Sequence, residues 1–288
     1  MNLATHSARG TTELTLLLRP SAIETRDEAK AARNARYRQL NVSIIPGDIA
    51  AASGSELTEL FKPFHTVISC AGMGMALGTQ TKIAHAAIDA RIPRFFPWQF
   101  GLDYDIIEQH ARHNPFSEQV HNRNLLRSQN ETKWVIVSTG MFLSFLFSKD
   151  FGLVDLEQGK FAGIGSWDHT LTVTAVEDIG RVVSELVYVT PEENGVIYIS
   201  GDSISMERLA TVVENVLGKE IEKSVKSVPE LEQELAEDPE NKTCMYRKVF
   251  ASRIGTYWDS KDTYTARRGL KTTSVEEWAE RNMANRNK

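Results

Sequence analysis

The fold of this chain is decided by the stretch Arg94-Phe95-Phe96-Pro97-Trp98-Gln99-Phe100-Gly101. A proline just before it disfavours helix, and Arg94-Phe95-Phe96 predicts a short buried strand that breaks at Pro-Trp-Gln-Phe-Gly. In an open α/β sheet, ligands lie in the crevice beyond the carboxyl ends of the strands. The stretch therefore predicts that Trp98, Gln99 and Phe100 line such a crevice. The alternative is a well-packed strand end closed by an aromatic plug.

Strands and helices alternate on both sides of this stretch. The predicted strands are Glu13–Pro20, Val42–Asp48, His65–Cys70 and Trp134–Ser138. The predicted helices are Asp27–Leu40, Ser55–Lys62 with Ser55 as N-cap, Thr79–Arg91 and Asn114–Gln129. Alternation of elements of this length predicts an α/β fold with a doubly wound parallel sheet.

The pattern changes beyond Gly140. The expected elements are a strand at Thr170–Thr174, a helix at Ala175–Val189, a strand at Val196–Gly201, a helix at Met206–Leu217 ended by Gly218, a solvated helix at Ser224–Glu240 and an amphipathic fragment at Val275–Ala279. We expect residues 1–150 to form the ligand-binding domain. Residues 151–288 are expected to build a smaller C-terminal substrate-binding cap, interleaved with the sheet.

Composition excludes several classes of function. The net charge of −5 is spread over interleaved signs, which favours neither nucleic acid nor an anionic membrane as partner. Cys70 and Cys244 show no metal-ligand spacing and no disulfide framework. No apolar run approaches the roughly 20 residues of a membrane span. These features predict a soluble cytoplasmic protein that holds no metal.

Several separated motifs resemble one known family. They are Arg94–Gly101, Trp134–Phe142, Thr174–Arg181 and Asn194–Asp202, in that order along the chain. Together they resemble the isoflavone reductase-like branch of the NmrA-like family, atypical short-chain dehydrogenase/reductases, in its fungal form. The resemblance, which extends from about Leu14 to the C-terminus, implies a Rossmann-like domain that binds NADP(H). It also implies reduction of a small aromatic or secondary-metabolite molecule, and it is compatible with a homodimer.

The front of the chain departs from this family. A dinucleotide fold opens with a strand and a G-x-G-x-x-G turn, and neither precedes Leu14–Pro20, which resembles the family's second strand. Met1–Arg9 resembles the second half of the helix after that turn. Because the first strand lies between the second and fourth in the order 3-2-1-4-5-6, we expect an interrupted sheet. Its unpaired backbone groups would cost about 1–3 kcal/mol each if buried, and cofactor binding would be impaired.

One loop offers a rival phosphate site. Gly72–Gly78 follows a predicted strand and precedes a helix, but its spacing is G-x-G-x-x-x-G, one residue longer than the dinucleotide form. It is interpreted as the loop after the family's fourth strand, where Cys70, Ala71 and Gly72 would border the nicotinamide ribose. A main phosphate loop and a flexible turn are the alternatives.

Three polar residues are candidates for the other end of the cofactor. Arg19, just after a strand, is placed to pair with the 2′-phosphate of NADP, the role that the resemblance also implies. Lys30 could add charge there, or belong to a solvated helix face. Asp48 occupies the position near the adenine in the family, and a simple Gly-Asp turn is the alternative.

The resemblance implies a catalytic lysine on the helix after the Arg94–Gly101 stretch. Gln119 falls where that lysine would be, and an amide can orient a substrate but cannot relay a proton. Arg123 lies one turn further on the same face. The substrate is expected to contact Trp98, Gln99, Phe100, Met141 and Phe142. The pair Tyr257 and Lys261 matches the short-chain dehydrogenase spacing, but far from its usual place, and is interpreted as chance.

Three functions stay open on the sequence. The leading one is an NADP(H)-linked reductase. A non-redox isomerase, cyclase or dehydratase using Gln119 and Arg123 would explain the lysine-to-glutamine change and the absent glycine turn. A dinucleotide sensor without chemistry is the third.

Overall fold

A computed structural model describes residues 1–72, 74–110 and 116–283. The strands in this part of the chain are β1 (Leu14–Leu18), β2 (Val42–Pro46), β3 (Thr66–Ile68), β4 (Arg94–Phe96), β5 (Lys133–Ser138), β6 (Met141–Phe142), β7 (Val154–Asp155), β8 (Lys160–Ile164), β9 (Thr170–Thr174), β10 (Gly195–Tyr198), β11 (Asp202–Ser205) and β12 (Glu222–Lys226). The helices are α1 (Asn2–Thr5), α2 (Pro20–Ile23), α3 (Glu28–Gln39), α4 (Gly54–Phe61), α5 (Thr79–Asp89), α6 (Tyr104–His110), α7 (Ser117–Arg127), α8 (Leu143–Leu146), α9 (Val176–Tyr188), α10 (Met206–Leu217), α11 (Val228–Glu237), α12 (Lys242–Ala251), α13 (Tyr264–Arg267) and α14 (Val275–Met283), with 3-10 turns at Ser7–Arg9 and Ser260–Asp262. None of the helices described has the length and apolar character needed to cross a bilayer.

The chain divides into two compact units. The first comprises Met1–Trp98, Glu118–Ile136 and Gly180–Val196, and the second comprises Gln99–Ser117, Val137–Ile179 and Ile197–Lys288. Each unit therefore collects segments from distant parts of the sequence. The Arg94–Gly101 stretch is divided between them after Trp98.

A four-stranded sheet has the strand order β10-β5-β4-β3. β4 runs parallel to β3, with Phe95 opposite Val67, and parallel to β5, with Phe95 opposite Trp134. All three residues of β4 are buried, as the apolar stretch predicted. The ring of Phe95 packs in a core with Ile136 and Leu126. The predicted α/β class with a parallel sheet is confirmed.

β1 and β2 form a separate parallel sheet of two strands. Among the described residues no strand joins β1 to β3, in agreement with the expected interruption of the sheet. β1 consequently keeps Leu14, Leu16, Leu17 and Leu18 only partly buried, whereas the central strand β4 is wholly buried. One edge of β1 therefore has no neighbouring strand among the described residues. Such an edge strand is less protected than a strand that is paired on both sides.

The N-terminal residues pack on the Gly180–Val196 segment of the same unit. His6 Nε2 lies 3.2 Å from Glu185 Oε1, and Tyr188 Oη donates to the Leu3 carbonyl at 3.1 Å. Helical turns at Asn2–Thr5 and Ser7–Arg9 agree with the expected helical character of this segment.

The second unit contains two three-stranded sheets and an aromatic core. The sheets have the orders β11-β9-β6 and β12-β8-β7. In the core, Phe145 contacts Phe151 and Tyr246 at centroid distances of 4.9 and 6.3 Å, and Tyr246 contacts Phe116 at 5.6 Å. These ring contacts join α8, which carries Phe145, to α12, which carries Tyr246.

Two sequence predictions were wrong in detail. The N-cap of α4 is Ser53, because Ser53 and Glu56 form a reciprocal capping box, whereas Ser55 lies inside the helix. Ser224–Glu240 is not one helix: its first residues belong to β12, which pairs with β8, and α11 begins after the cap at Ser227. Pairing with a neighbouring strand overrides local propensity here. The predicted start of α7 at Asn114 and Pro115 lies outside the described residues.

Candidate functional site

In the first unit, the carboxyl ends of β1 and β2 lie side by side. The Gly47 amide donates to the Leu18 carbonyl at 2.9 Å. Arg19 follows β1 directly and is exposed, with Pro20 opening α2 behind it. Asp48 follows β2, where its carboxylate accepts from the amides of Ala50 and Ala51 at 2.9 and 3.4 Å. Asp48 thus closes its own turn, and its place near the adenine stays a prediction.

Lys30 lies in the first turn of α3 and is exposed. Its ammonium group is 3.7 Å from Asp27 Oδ2, and the backbone amide of Lys30 donates to Asp27 Oδ1 at 2.9 Å. That backbone hydrogen bond is the main reason why the pKa of Asp27 lies below its ordinary value. A surface pair of this type contributes little to stability, and the contribution of Lys30 to a phosphate site stays a prediction.

The residues Cys70, Ala71 and Gly72 follow β3. Gln80, which is buried at the start of α5, donates through Nε2 to the Ala71 carbonyl at 2.5 Å. Ser69 precedes the turn, and its Oγ is buried without a hydrogen-bond partner in the described part of the chain. Buried hydroxyls are normally paired, so Ser69 Oγ is a polar group that a ligand could satisfy.

Gly72 lies directly against Trp98, which follows β4. A Cβ atom on Gly72 would fall 1.7 Å from Trp98 Cδ2, 2.0 Å from Cε2 and 2.2 Å from Cε3. No side chain larger than hydrogen fits between this backbone and the indole. The structure thereby brings together one residue predicted to border the cofactor and one predicted to contact the substrate.

The two candidate catalytic residues lie on α7 of the first unit. Gln119 is 9% exposed, and Arg123, one turn further, is 0% exposed. Their neighbour Glu118 connects α7 to α5, because its Oε1 accepts from the Thr81 amide at 2.9 Å and from Thr81 Oγ1 at 3.3 Å. Such deep burial suits residues that orient or support a site.

The remaining substrate candidates lie in the second unit. The Gly101 carbonyl accepts from the amides of Thr139 and Gly140 at 2.9 and 3.0 Å, which places the segment of Gln99 and Phe100 beside that of Met141 and Phe142. Gly140 has φ +68°, and a Cβ there would lie 2.1 Å from the Thr172 carbonyl oxygen. Gln99 and Met141 are buried, whereas Phe100 and Phe142 stay partly exposed.

Sequence reasoning assigned no role to Gln80, Ser69 or the Glu118–Thr81 contact. A polar residue just after a glycine-rich turn was the available signal for Gln80. The pairing of Glu118 with Thr81 spans 37 positions and has no local signature. No group of three or more His, Cys, Asp or Glu side chains suited to a metal occurs in the residues that the structure covers.

Comparisons of sequence agree with this architecture. The model of the NmrA-like family matches residues 20–279. An NmrA-like family domain-containing oxidoreductase from Gibberella moniliformis (strain M3125 / FGSC 7600) is 39% identical over 279 residues, which cover 96% of this chain and 91% of the relative. The isoflavone reductase homolog P3 from Arabidopsis thaliana is 26% identical over 220 residues, with coverage of 74% and 70%.

Solved structures have the same fold. A crystal structure of isoflavone reductase matches with a TM-score of 0.77 at 20% identity, covering 97% of this chain and 94% of that one. The binary complex of leucoanthocyanidin reductase with NADPH, from Vitis vinifera, matches with a TM-score of 0.73 at 17% identity, covering 96% and 93%. The Rossmann-like α/β architecture is confirmed, and with the family match over most of its length the chain belongs to the NmrA-like family.

Proposed function

We propose that the protein is an NADP(H)-dependent oxidoreductase that acts on a small aromatic or other secondary-metabolite molecule. The observation behind the proposal is the contact between Gly72 and Trp98. Hydride transfer needs cofactor and substrate in direct contact. In this structure the Gly72 backbone, which is expected to border the cofactor, touches the Trp98 ring, which is expected to contact the substrate.

The residues present fit a phosphorylated dinucleotide. Ser69 Oγ supplies a buried polar atom without a partner in the described residues, at the carboxyl end of β3. Arg19 supplies an exposed guanidinium after β1, suited to a 2′-phosphate. Cys70, Ala71 and Gly72 would border the nicotinamide ribose. When bound, the cofactor supplies the hydride.

The relatives support the cofactor and the substrate class. The Gibberella relative is named an oxidoreductase. Structures with this fold have been solved with NADP+ and (+)pinoresinol and with NADPH. In the first unit Trp98 would present partly exposed aromatic surface to such a substrate. A cytoplasmic location is part of the proposal, and both cysteines are free thiols, as a reducing compartment requires.

A dinucleotide sensor without redox chemistry is the second candidate. Gln119, in the position where the resemblance implies a lysine, is buried and carries an amide that cannot relay a proton. Gln119 and Arg123 would then orient a ligand rather than catalyse.

One experiment separates these functions. Purified protein is titrated with NADPH and then incubated with a panel of aromatic carbonyl and enone compounds while the absorbance of NADPH is followed. The proposed reductase binds NADPH and consumes it with at least one compound. Binding without consumption would favour the sensor, and no binding would reject both.

A further inference from the structure

We propose that Gly72 is a positioning residue that determines substrate specificity. By letting the indole of Trp98 lie directly on the backbone, it holds that ring as a stacking surface for a planar aromatic substrate. The inference rests on the proposed function in taking the Trp98 region as the place where the substrate binds.

The indole meets Gly72 with its face. The three atoms nearest to a Cβ on Gly72 are Cδ2, Cε2 and Cε3 of Trp98, at 1.7, 2.0 and 2.2 Å. Cδ2 and Cε2 form the bond shared by the two rings, and neither carries a hydrogen. An atom reaches that bond most closely from above the ring plane. The Cα of Gly72 therefore lies under one face of the indole.

The backbone beneath the indole is held in place. Gln80 donates to the Ala71 carbonyl at 2.5 Å, and Gln80 is itself 7% exposed. Glu118 ties the first turn of α5 to α7 through Thr81. Ala71 is thus tied to α5, and α5 in turn to α7, so that the backbone next to Gly72 has a fixed support.

Trp98 stays only partly buried, in contrast to Phe95 and Phe96 of the strand before it. Aromatic pairs prefer offset stacking or edge-to-face contact, and gain about 0.5–1.5 kcal/mol beyond the burial of area. An indole fixed on one side and partly open is suited to this contact with a planar ring. It would discriminate against a saturated ring of the same size.

The test uses a matched pair of probes, 2-naphthol and decahydro-2-naphthol, which share a hydroxyl and a bicyclic skeleton but differ in aromaticity. Binding is measured by calorimetry without NADPH, so that a failure of the proposed cofactor does not affect the result. Wild-type protein is expected to prefer 2-naphthol by roughly three- to tenfold. Gly72→Ala should remove this preference, because the added Cβ displaces the indole.

Controls separate positioning from general damage. Gly54→Ala, where a Cβ meets no atom within 4 Å, should keep the preference. Trp98→Leu should abolish it, and in the Trp98→Leu background Gly72→Ala should have no further effect on either probe. Should Gly72→Ala alone fail to fold, the double variant should fold, because the clash is gone.

Three results would overturn the inference. Wild-type protein could show no preference for 2-naphthol, Gly72→Ala could retain it, or the double variant could fail to fold. A loss of NADPH binding alone would reject the proposed function and leave the stacking surface intact.

Discussion

At the scale of single residues, the buried Arg94 links distant segments of the first unit. Arg94 is 4% exposed, donates to the Leu186 and Glu193 carbonyls at 2.8 and 2.9 Å, and lies 4.9 Å from the ring centre of Phe96. It therefore connects β4 to the end of α9 and the turn that follows. A basic residue opening an apolar strand gave no indication of this role in the sequence.

Replacing this arginine tests the connection. Arg94→Met keeps the volume and removes the donors, which should lower the free energy of unfolding by about 2–4 kcal/mol. Urea denaturation measures the change. Arg33→Met, on the exposed face of α3, is the control and should stay within about 0.5 kcal/mol of the wild type. Equal stability of both variants would exclude the role given to Arg94.

A buried histidine in the second unit makes stability depend on pH. His169 is 0% exposed, and its Nε2 lies 2.7 Å from the Phe250 carbonyl oxygen. Burial lowers the pKa of His169 below its ordinary value of 6.5; the nearby Arg253 acts in the same direction, while the Phe250 hydrogen bond and Asp168 act against it. The folded state thus favours the neutral imidazole.

The sign of the pH effect follows from this pKa. Below pH 6.5 the unfolded chain binds a proton at His169 that the folded chain does not. The contribution of the neutral His169 to the free energy of unfolding is therefore complete above pH 6.5 and is lost as the pH falls. We expect the urea midpoint to drop on acidification, and to drop less in His169→Gln. An equal drop in both proteins would show that other groups are responsible.

At the scale of elements, the N-cap of α4 differs between the sequence prediction and the structure. Ser53 caps the helix and Ser55 does not. Ser53→Ala should therefore cost about 1 kcal/mol of unfolding free energy, and Ser55→Ala should cost a few tenths at most. Thermal or urea unfolding of the two variants measures these losses. A larger loss of stability in Ser55→Ala than in Ser53→Ala would show that Ser55 is the N-cap, as the sequence predicted.

The two parallel sheets of the α/β part should also differ in local stability. β1 and β2 form a partly buried pair, whereas β4 is buried throughout and lies between two neighbours. Amide hydrogens of β1 and β2 should exchange on the order of tenfold faster or more than those of β4 and β5. Hydrogen exchange resolved by peptide measures this, and uniform protection would contradict the interrupted sheet.

Most elements could be predicted because their signals are local. The buried apolar runs of β4 and β5 and the glycine stop of α10 at Gly218 needed no information from distant residues. β12 could not be predicted, because Glu222–Lys226 is polar and becomes a strand only by pairing with β8. Local propensity predicts a helix at these residues, but pairing with β8 makes them a strand.

At the scale of the whole molecule, the family and the order of its motifs were accessible from the sequence, and the site was accessible only in part. Trp98 and Gly72 were each predicted on separate grounds, but their contact depends on two turns that follow different strands. The burial of Gln119 and Arg123 depends on how α7 packs. The spacing of residues predicts which of them share one face of a helix, but not which other elements that face packs against.

We propose that the carboxyl ends of β1 and β3 bind a 2′-phosphorylated dinucleotide through Arg19. Calorimetric titration with NADPH and NADH, on wild type, Arg19→Ala and the control Arg38→Ala, tests it most directly. We expect saturable NADPH binding that Arg19→Ala weakens by roughly tenfold to a hundredfold, with NADH binding and Arg38→Ala unaffected. Absence of saturable NADPH binding to the wild type, or an NADPH affinity of Arg19→Ala equal to that of the wild type, would show that Arg19 does not hold the 2′-phosphate of a bound dinucleotide.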